Sequence, residues 1–384
     1  MSHWRGLAVE GTEDPEGGVD GSEVVGASAG PGAAVRRGSA ARHGRRRRLL
    51  RWLGWGTLAV LVVLAALPYL VPFSSSGTLD HREAAARSLG AEPTFERLAG
   101  LDVHVEQAAF RGEPPPNGDA PLIVVLHGFG ANAATWREAI DDLALLGDVV
   151  AYDRPPFGFT ARPSERTGPE GVDPYGTEGQ LALLAEVIDA HRGADPAREV
   201  VLVGHSAGGA LAAEHALRDP GRVDGLVLVA PAVLTSGGAP GLLRPLLALP
   251  PVDRAGPWFA RLAAGGADDL LEGSWHDPSR LTDEQRARYD EPRLVEGWEQ
   301  GLWRLVRAPT TLRVGDEPGG ITVPTLLVTG DDDRIVPTDD TRALAGLIDG
   351  ASLAVLEATG HVPHEESPQA FLEAVEGGWP LDDS

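Results

Sequence analysis

Six short aliphatic runs punctuate the chain after residue 120, and each gives way to Gly, Pro, Asp or His. They lie in PLIVVLHG (121–128), DVVAYDRP (148–155), EVVLVGHS (199–206), VDGLVLVAP (223–231), VPTLLVTGDDD (323–333) and ASLAVLEATGH (351–361). A strand with one wet face alternates apolar and polar residues. These runs do not alternate, so both of their faces are buried, as in a parallel sheet covered on two sides. Parallel strands need crossovers, and helix-forming segments such as TEGQLALLAEVIDAHRG and AGGALAAEHALRD lie between the runs. The alternation predicts an α/β fold with a mostly parallel, doubly wound sheet. Upstream, FERLAGLDVHVEQ (95–107) alternates, which predicts an antiparallel hairpin at one edge.

The rhythm breaks once. Residues 232–316 offer no convincing strand, several Pro and Gly, and Trp258, Trp275, Trp298 and Trp303. Such an insertion between two strands reads as a helical cap. Ligands of open α/β sheets bind outside the carboxyl ends of the strands, so a cap there would roof the pocket. The four tryptophans are candidates either to line that pocket or to fill the cap's own core.

The N-terminal part is of another kind. Residues 1–44 are rich in Gly, Ala, Ser and charge without apolar periodicity, and are expected to be a disordered tail. From Trp52 to Phe73 no charge occurs over 22 residues, close to the ~20 needed to cross a bilayer. Arg45 to Arg48 and Arg51 precede this stretch, and the first charge after it is Asp80. The positive-inside bias then keeps the N-terminus cytoplasmic and places the rest outside. A cleaved signal peptide is the rival, with some likeness of the arginine run to a twin-arginine signal. Against it stand the long preceding segment and the lack of a small-x-small site. The expected layout is a tail at 1–44, a basic flank and single transmembrane helix at 45–73, and a linker at 74–93. A first core part at 94–231, the cap at 232–316 and a second core part at 317–378 follow.

Charge is divided in the same way. Residues 1–51 hold nine Arg against six acids (+3), and the remainder 24 Arg against 50 acids (−26). So negative a surface repels nucleic acid and other polyanions and suits neutral or cationic partners. The chain has no cysteine, which excludes disulfides and cysteine-ligated metals.

Gly-x-Ser-x-Gly occurs twice, and context separates the copies. GASAG (26–30) has no strand before it and no helix after it. GHSAG (204–208) joins a buried strand to a good helix former. A turn that tight forces Ser206 into strained backbone angles and lifts its hydroxyl clear of the sheet. Gly204 and Gly208 are needed there because a Cβ would strike neighbouring backbone. A serine hydroxyl is a poor nucleophile without a base. His361 follows the last strand directly, whereas His364 lies beyond Pro363 at the start of the final helix, so His361 is the candidate base. The two histidines lack a third ligand at metal-binding spacing. The acid lies in GDDDRIVP (330–337), where Asp331, Asp332 and Asp333 all follow a strand; spacing alone does not choose among them. His127 and His205 are expected to be structural, and Asp153 and Arg154 to organise the loop through Gly158.

LHGFGAN (126–132), YDRPPFGFTARP (152–163), GHSAGG (204–209), GDDDRIVP (330–337) and GHVPHEESP (360–368) together resemble the α/β-hydrolase superfamily, over roughly residues 94–378. The likeness is to its capped, epoxide-hydrolase-like branch, with serine as nucleophile. It implies an α/β-hydrolase fold with a helical cap inserted after the sixth strand, and it selects Asp333 as the acid. VAPAVL offers no acid after that strand, which agrees. The resemblance also implies an oxyanion hole from the amides of Phe129 and Ala207, and no cofactor or metal. Ser206 stands where dehalogenases and epoxide hydrolases carry Asp, so neither activity is expected.

The expected function is a membrane-anchored serine hydrolase acting on a small neutral or apolar ester. A carbon–carbon bond hydrolase, perhydrolase or thioesterase would use the same triad. A non-catalytic anchored binding module would need no intact triad at all.

Overall fold

The computed structural model describes residues 35–381 except 72, 91, 114–118, 164–170 and 236–243. Two compact units divide the chain, Met1–Val63 and Leu64–Ser384. Helix α1 (Val35–Leu70) begins within the segment expected to be unstructured, and Arg and Ala, both good helix formers, supply half of VRRGSAARHG. The rest of that tail, GASAG included, lies outside the described residues. Leu50–Leu70 is long and apolar enough to cross a membrane, with a mean hydropathy of 2.0.

Eight strands form one sheet: β1 (Thr94–Leu98), β2 (Leu101–Ala108), β3 (Leu122–Leu126), β4 (Asp148–Tyr152), β5 (Val200–His205), β6 (Gly225–Val229), β7 (Thr325–Gly330) and β8 (Ser352–Leu356). Their order is β1-β2-β4-β3-β5-β6-β7-β8. The β1–β2 hairpin pairs antiparallel with itself and with β4, and every pairing from β4 to β8 is parallel. Every residue of β3, β5, β6 and β7 is buried, as unalternating runs require, whereas in β8, which the sequence predicts to be buried likewise, only Leu356 is, because β8 is the edge strand. Along β3, Leu122, Val124 and Leu126 enter one core cluster while Ile123 and Val125 enter the cluster on the other face. Each such side chain contributes ~1.5–3 kcal/mol by leaving water.

The segment expected as a linker carries helix α2 (His81–Leu89), capped by Asp80 and packed through Ala84 and Ala85 against Phe159 and Val295. Helices α3 (Ile140–Leu143), α4 (Thr177–His191) and α5 (Ala207–Arg218) connect the strands up to β6. Between β6 and β7 stand α6 (Arg244–Leu247), α7 (Pro250–Ala263), α8 (Ala267–Gly273), α9 (Asp283–Asp290) and α10 (Trp298–Arg307). No strand occurs among the described residues of this insertion, which is the cap after the sixth strand. Its helices interlock: a Cβ on Gly256 of α7 would sit 2.0 Å from the Trp303 ring of α10. Helices α11 (Thr338–Ala345), α12 (Pro363–Glu366) and α13 (Pro368–Gly377) complete the core.

Candidate active site

Ser206 ends β5 and caps α5 with φ 50° and ψ −118°, a conformation L residues avoid. Three bonds hold it there: its amide donates to the Val229 carbonyl at 2.9 Å, and its carbonyl accepts from Ala210 and Ala232, each at 3.0 Å. The turn closes only on glycine. A Cβ on Gly208 would lie 2.5 Å from the carbonyl oxygens of Leu126 and His127, and one on Gly204 would lie 2.7 Å from the Gly208 carbonyl oxygen. Strand β5 and helix α5 thus fix the hydroxyl above the carboxyl ends of the strands.

His361 enters the same cavity from the loop after β8. Its Nδ1–H donates to Asp333 Oδ2 at 2.8 Å, which leaves Nε2 as the basic nitrogen. The other oxygen of Asp333 accepts the amides of Ile335 and Val336, each at 2.9 Å. The remaining acids of the triplet go elsewhere. Asp332 bonds His276 Nδ1 at 2.9 Å and pairs with Arg334, while Asp331 is exposed and takes the Thr359 amide at 3.3 Å. His364 is buried outside the cavity, its ring stacked on Trp136 at 4.0 Å, and burial pushes its pKa down to about 3.

Phe129 lines the cavity beside Ser206. Among the described residues no protein acceptor takes the amide of Phe129 or of Ala207, the first residue of α5. The Phe129 loop is braced from below. His127 accepts the Arg154 amide at Nε2 (2.9 Å) and donates from Nδ1 to the Gly128 carbonyl (2.7 Å). The Arg154 guanidinium donates to the His127 carbonyl at 2.7 Å, and burial lowers its pKa to about 10, leaving it charged at neutral pH. The expectation for Asp153 and Arg154 is thereby divided. Asp153 does organise the loop through Gly158: it accepts the amides of Phe159 (2.6 Å) and Ala133 (2.7 Å) and pairs with His104 at 2.9 Å. Arg154, however, turns back to the strand-end loop of β3, because a buried cation without a carboxylate needs carbonyl oxygens.

The cavity has a volume of about 320 Å³ and a mostly apolar lining. Of the four cap tryptophans only Trp298 lines it; Trp275 is in the cap's core, Trp303 bonds Asp253, and Trp258 meets Phe73.

Two of the residues that carry the histidine loop, His205 and Glu366, stand inside motifs, but the motifs do not show what they bond. His205 donates from Nε2 to the His361 carbonyl at 2.9 Å, and burial beside His361 and His364 holds its pKa well below the usual range. The His361 amide donates to the carbonyl of Ser274, a cap residue, at 2.7 Å. Glu366 accepts three amides, from Gly360 on the loop and from His276 and Asp277 in the cap, at 2.7–3.0 Å. Glu366 does stand in GHVPHEESP, but a carboxylate that serves only backbone amides leaves no spacing to read.

A model of the alpha/beta hydrolase family matches residues 123–374. The chain is 29% identical over 262 residues to a 2-hydroxy-6-oxo-2,4-heptadienoate hydrolase from Pseudomonas putida, covering 66% of this chain and 87% of that one. It is 30% identical over 271 residues to a pimeloyl-[acyl-carrier protein] methyl ester esterase from Aeromonas hydrophila, covering 67% and 95%. Among solved structures, it is similar to a serine hydrolase involved in carbazole degradation, with a TM-score of 0.56 and 22% identity over 75% of this chain and 98% of that one. With its strand order, its cap and the family match across most of the folded region, the chain belongs to the alpha/beta hydrolase family.

Proposed function

We propose that the chain is a membrane-anchored serine hydrolase that cleaves a carboxylic ester through Ser206, His361 and Asp333. The observation that supports this reading is that a strained Ser206 and a His361 ring bonded to Asp333 line the same cavity. His361 Nε2 takes the Ser206 proton as Oγ bonds to the substrate carbonyl carbon. Charge moves to the carbonyl oxygen, and the amides of Phe129 and Ala207 stabilise it, each such donor contributing ~3 kcal/mol. As the tetrahedral species collapses, the alcohol leaves with the proton from His361. A water, deprotonated by the same nitrogen, then attacks the acyl-enzyme, releasing the acid and restoring the serine. Asp333 holds the imidazole in the tautomer that both steps need.

The apolar span and its basic flank support an uncleaved anchor with the catalytic unit outside the cytoplasm. Two experiments test the two halves. A fluorophosphonate probe is expected to label the purified protein and not its Ser206→Ala variant; equal labelling of both, or of neither, ends the catalytic reading. Protease added to cells with a permeable outer layer is expected to remove the catalytic unit, and full protection overturns the orientation. The Pseudomonas relative favours a second reading, hydrolysis of a carbon–carbon bond by the same residues. Turnover of a vinylogous diketone in place of simple esters would select it.

A further inference from the structure

Nine large apolar side chains beyond Val71 are exposed among the described residues, and five of them fall within residues 246–270 of the cap: Leu246, Leu249, Phe259, Leu262 and Leu270. Leu262 is 78% exposed. This stretch is attached to the point where the apolar span ends. Arg254 of α7 donates to the Pro68 carbonyl at 2.8 Å and lies over the Tyr69 ring at 5.1 Å. Trp258 meets Phe73 at 6.1 Å, and Arg261 lies over that ring and donates to the Ser74 carbonyl at 2.6 Å. Glu299 of α10 reinforces the junction by accepting from Ser75, Ser76 and Arg261. The same stretch also walls the cavity, through Ala263, Ala264, Ala267 and Leu270.

From this continuity we propose that the apolar edge of the cap, residues 246–270, sits in the surface of the bilayer that holds α1, and that the cavity takes an acyl ester dissolved in that bilayer. The proposal rests on the reading of α1 as a membrane span. A solvent-exposed apolar strip costs solubility, whereas one beside the exit of a span lies at the depth of the headgroup and acyl boundary, ~5–10 Å into the bilayer for interfacial helices. Charge selects the lipid. The strip itself is nearly balanced, with Arg254 and Arg261 against Asp253, Asp268 and Asp269, but the chain beyond residue 51 is strongly acidic, so an anionic surface would repel it. A zwitterionic phosphatidylcholine surface fits.

The chain has no cysteine, so single cysteines can be labelled without background. Full-length Leu249→Cys, Leu262→Cys and Glu199→Cys are each labelled with an environment-sensitive fluorophore and reconstituted into phosphatidylcholine vesicles carrying spin-labelled acyl chains. Glu199 is exposed and precedes β5, at the end of that strand opposite Ser206. All three proteins are expected to float with the vesicles, with labels at 249 and 262 quenched several-fold more than the label at 199. Failure to float overturns the span, and with it the proposal. Flotation with equal quenching at all three positions leaves the anchor standing and overturns the docking of the cap. For the substrate, full-length Leu249→Asp/Leu262→Asp is expected to lose about tenfold in turnover of a dodecanoyl nitrophenyl ester held in the vesicles, with nitrophenyl acetate turnover in water unchanged. Equal rates for variant and wild type on the long ester overturn the bilayer as its source.

Discussion

The floor and the roof of the cavity are built by different means. The floor is backbone against backbone: Gly204, Gly208 and Gly209 each lie so close to a neighbouring main chain that a Cβ would come within 2.7–2.8 Å or less. The roof meets the loops of His361 and Asp333 at one close main-chain approach, Gly360, where a Cβ would lie 2.4 Å from the Ser274 carbonyl oxygen, and otherwise through polar links: the Ser274 carbonyl, Glu366, the Asp332–His276 pair and the Tyr289–Glu365 contact. A floor of that sort fixes the reacting atoms and admits almost no substitution. A roof of that sort can change its lining while the floor stays put, which suits a hydrolase family whose members act on different substrates.

The sharpest way to break the floor's proposed function is to remove the proposed nucleophile while leaving its packing intact. Ser206→Ala is expected to lower kcat for an ester by ~10⁴-fold or more with an unchanged melting temperature, read by steady-state kinetics and calorimetry. Asp333→Asn should follow at ~10³–10⁴-fold, because the amide favours the wrong tautomer of His361, while Asp331→Asn, exposed and turned away, should keep wild-type rates. Glycine substitutions then compare floor and roof directly. Gly208→Ala is expected to cost ~3 kcal/mol or more in denaturant unfolding. Gly273→Ala in the cap, where an added Cβ meets nothing within 4 Å, should stabilise by up to ~1 kcal/mol. Comparable costs at the two sites would erase the distinction.

The polar links of the roof should give smaller effects. Glu366→Ala strands the amides of Gly360, His276 and Asp277 and is expected to cost ~2–3 kcal/mol and to raise KM more than it lowers kcat. Glu365 makes the roof sensitive to pH. Burial pushes its pKa up to about 8, against an unfolded value near ~4.3. A carboxyl raised in this way contributes stability in full below its unfolded pKa and loses it as the pH climbs to about 8. Glu365→Gln, neutral throughout, should therefore gain in melting temperature relative to wild type between about pH 5 and about pH 9. A difference that does not vary with pH would show that Glu365 does not titrate there.

What could be read from the sequence follows the same division. The sheet was legible because burial on both faces removes alternation, and each unbroken run from β3 to β7 became a buried strand. The tight turn at Ser206 was legible because its geometry demands glycine at 204 and 208, and glycine is visible in a sequence. Asp333 could not be separated from Asp331 and Asp332 by spacing, since which of three adjacent side chains reaches His361 depends on the turn that Ile335 and Val336 build against it. Arg154 and the cap links were out of reach because their partners are main-chain carbonyls and amides, which every residue carries. Helix α2, within the segment before β1, was not legible because its buried face is only two alanines, Ala84 and Ala85.

A crystal structure of the protein inhibited by an alkyl phosphonate tests the central claim most directly. The account predicts phosphorus bonded to Oγ of Ser206, with the phosphonyl oxygen ~3 Å from the amides of Phe129 and Ala207 and His361 Nε2 beside the ester oxygen. An adduct on another residue, or an oxygen pointing away from both amides, would contradict it.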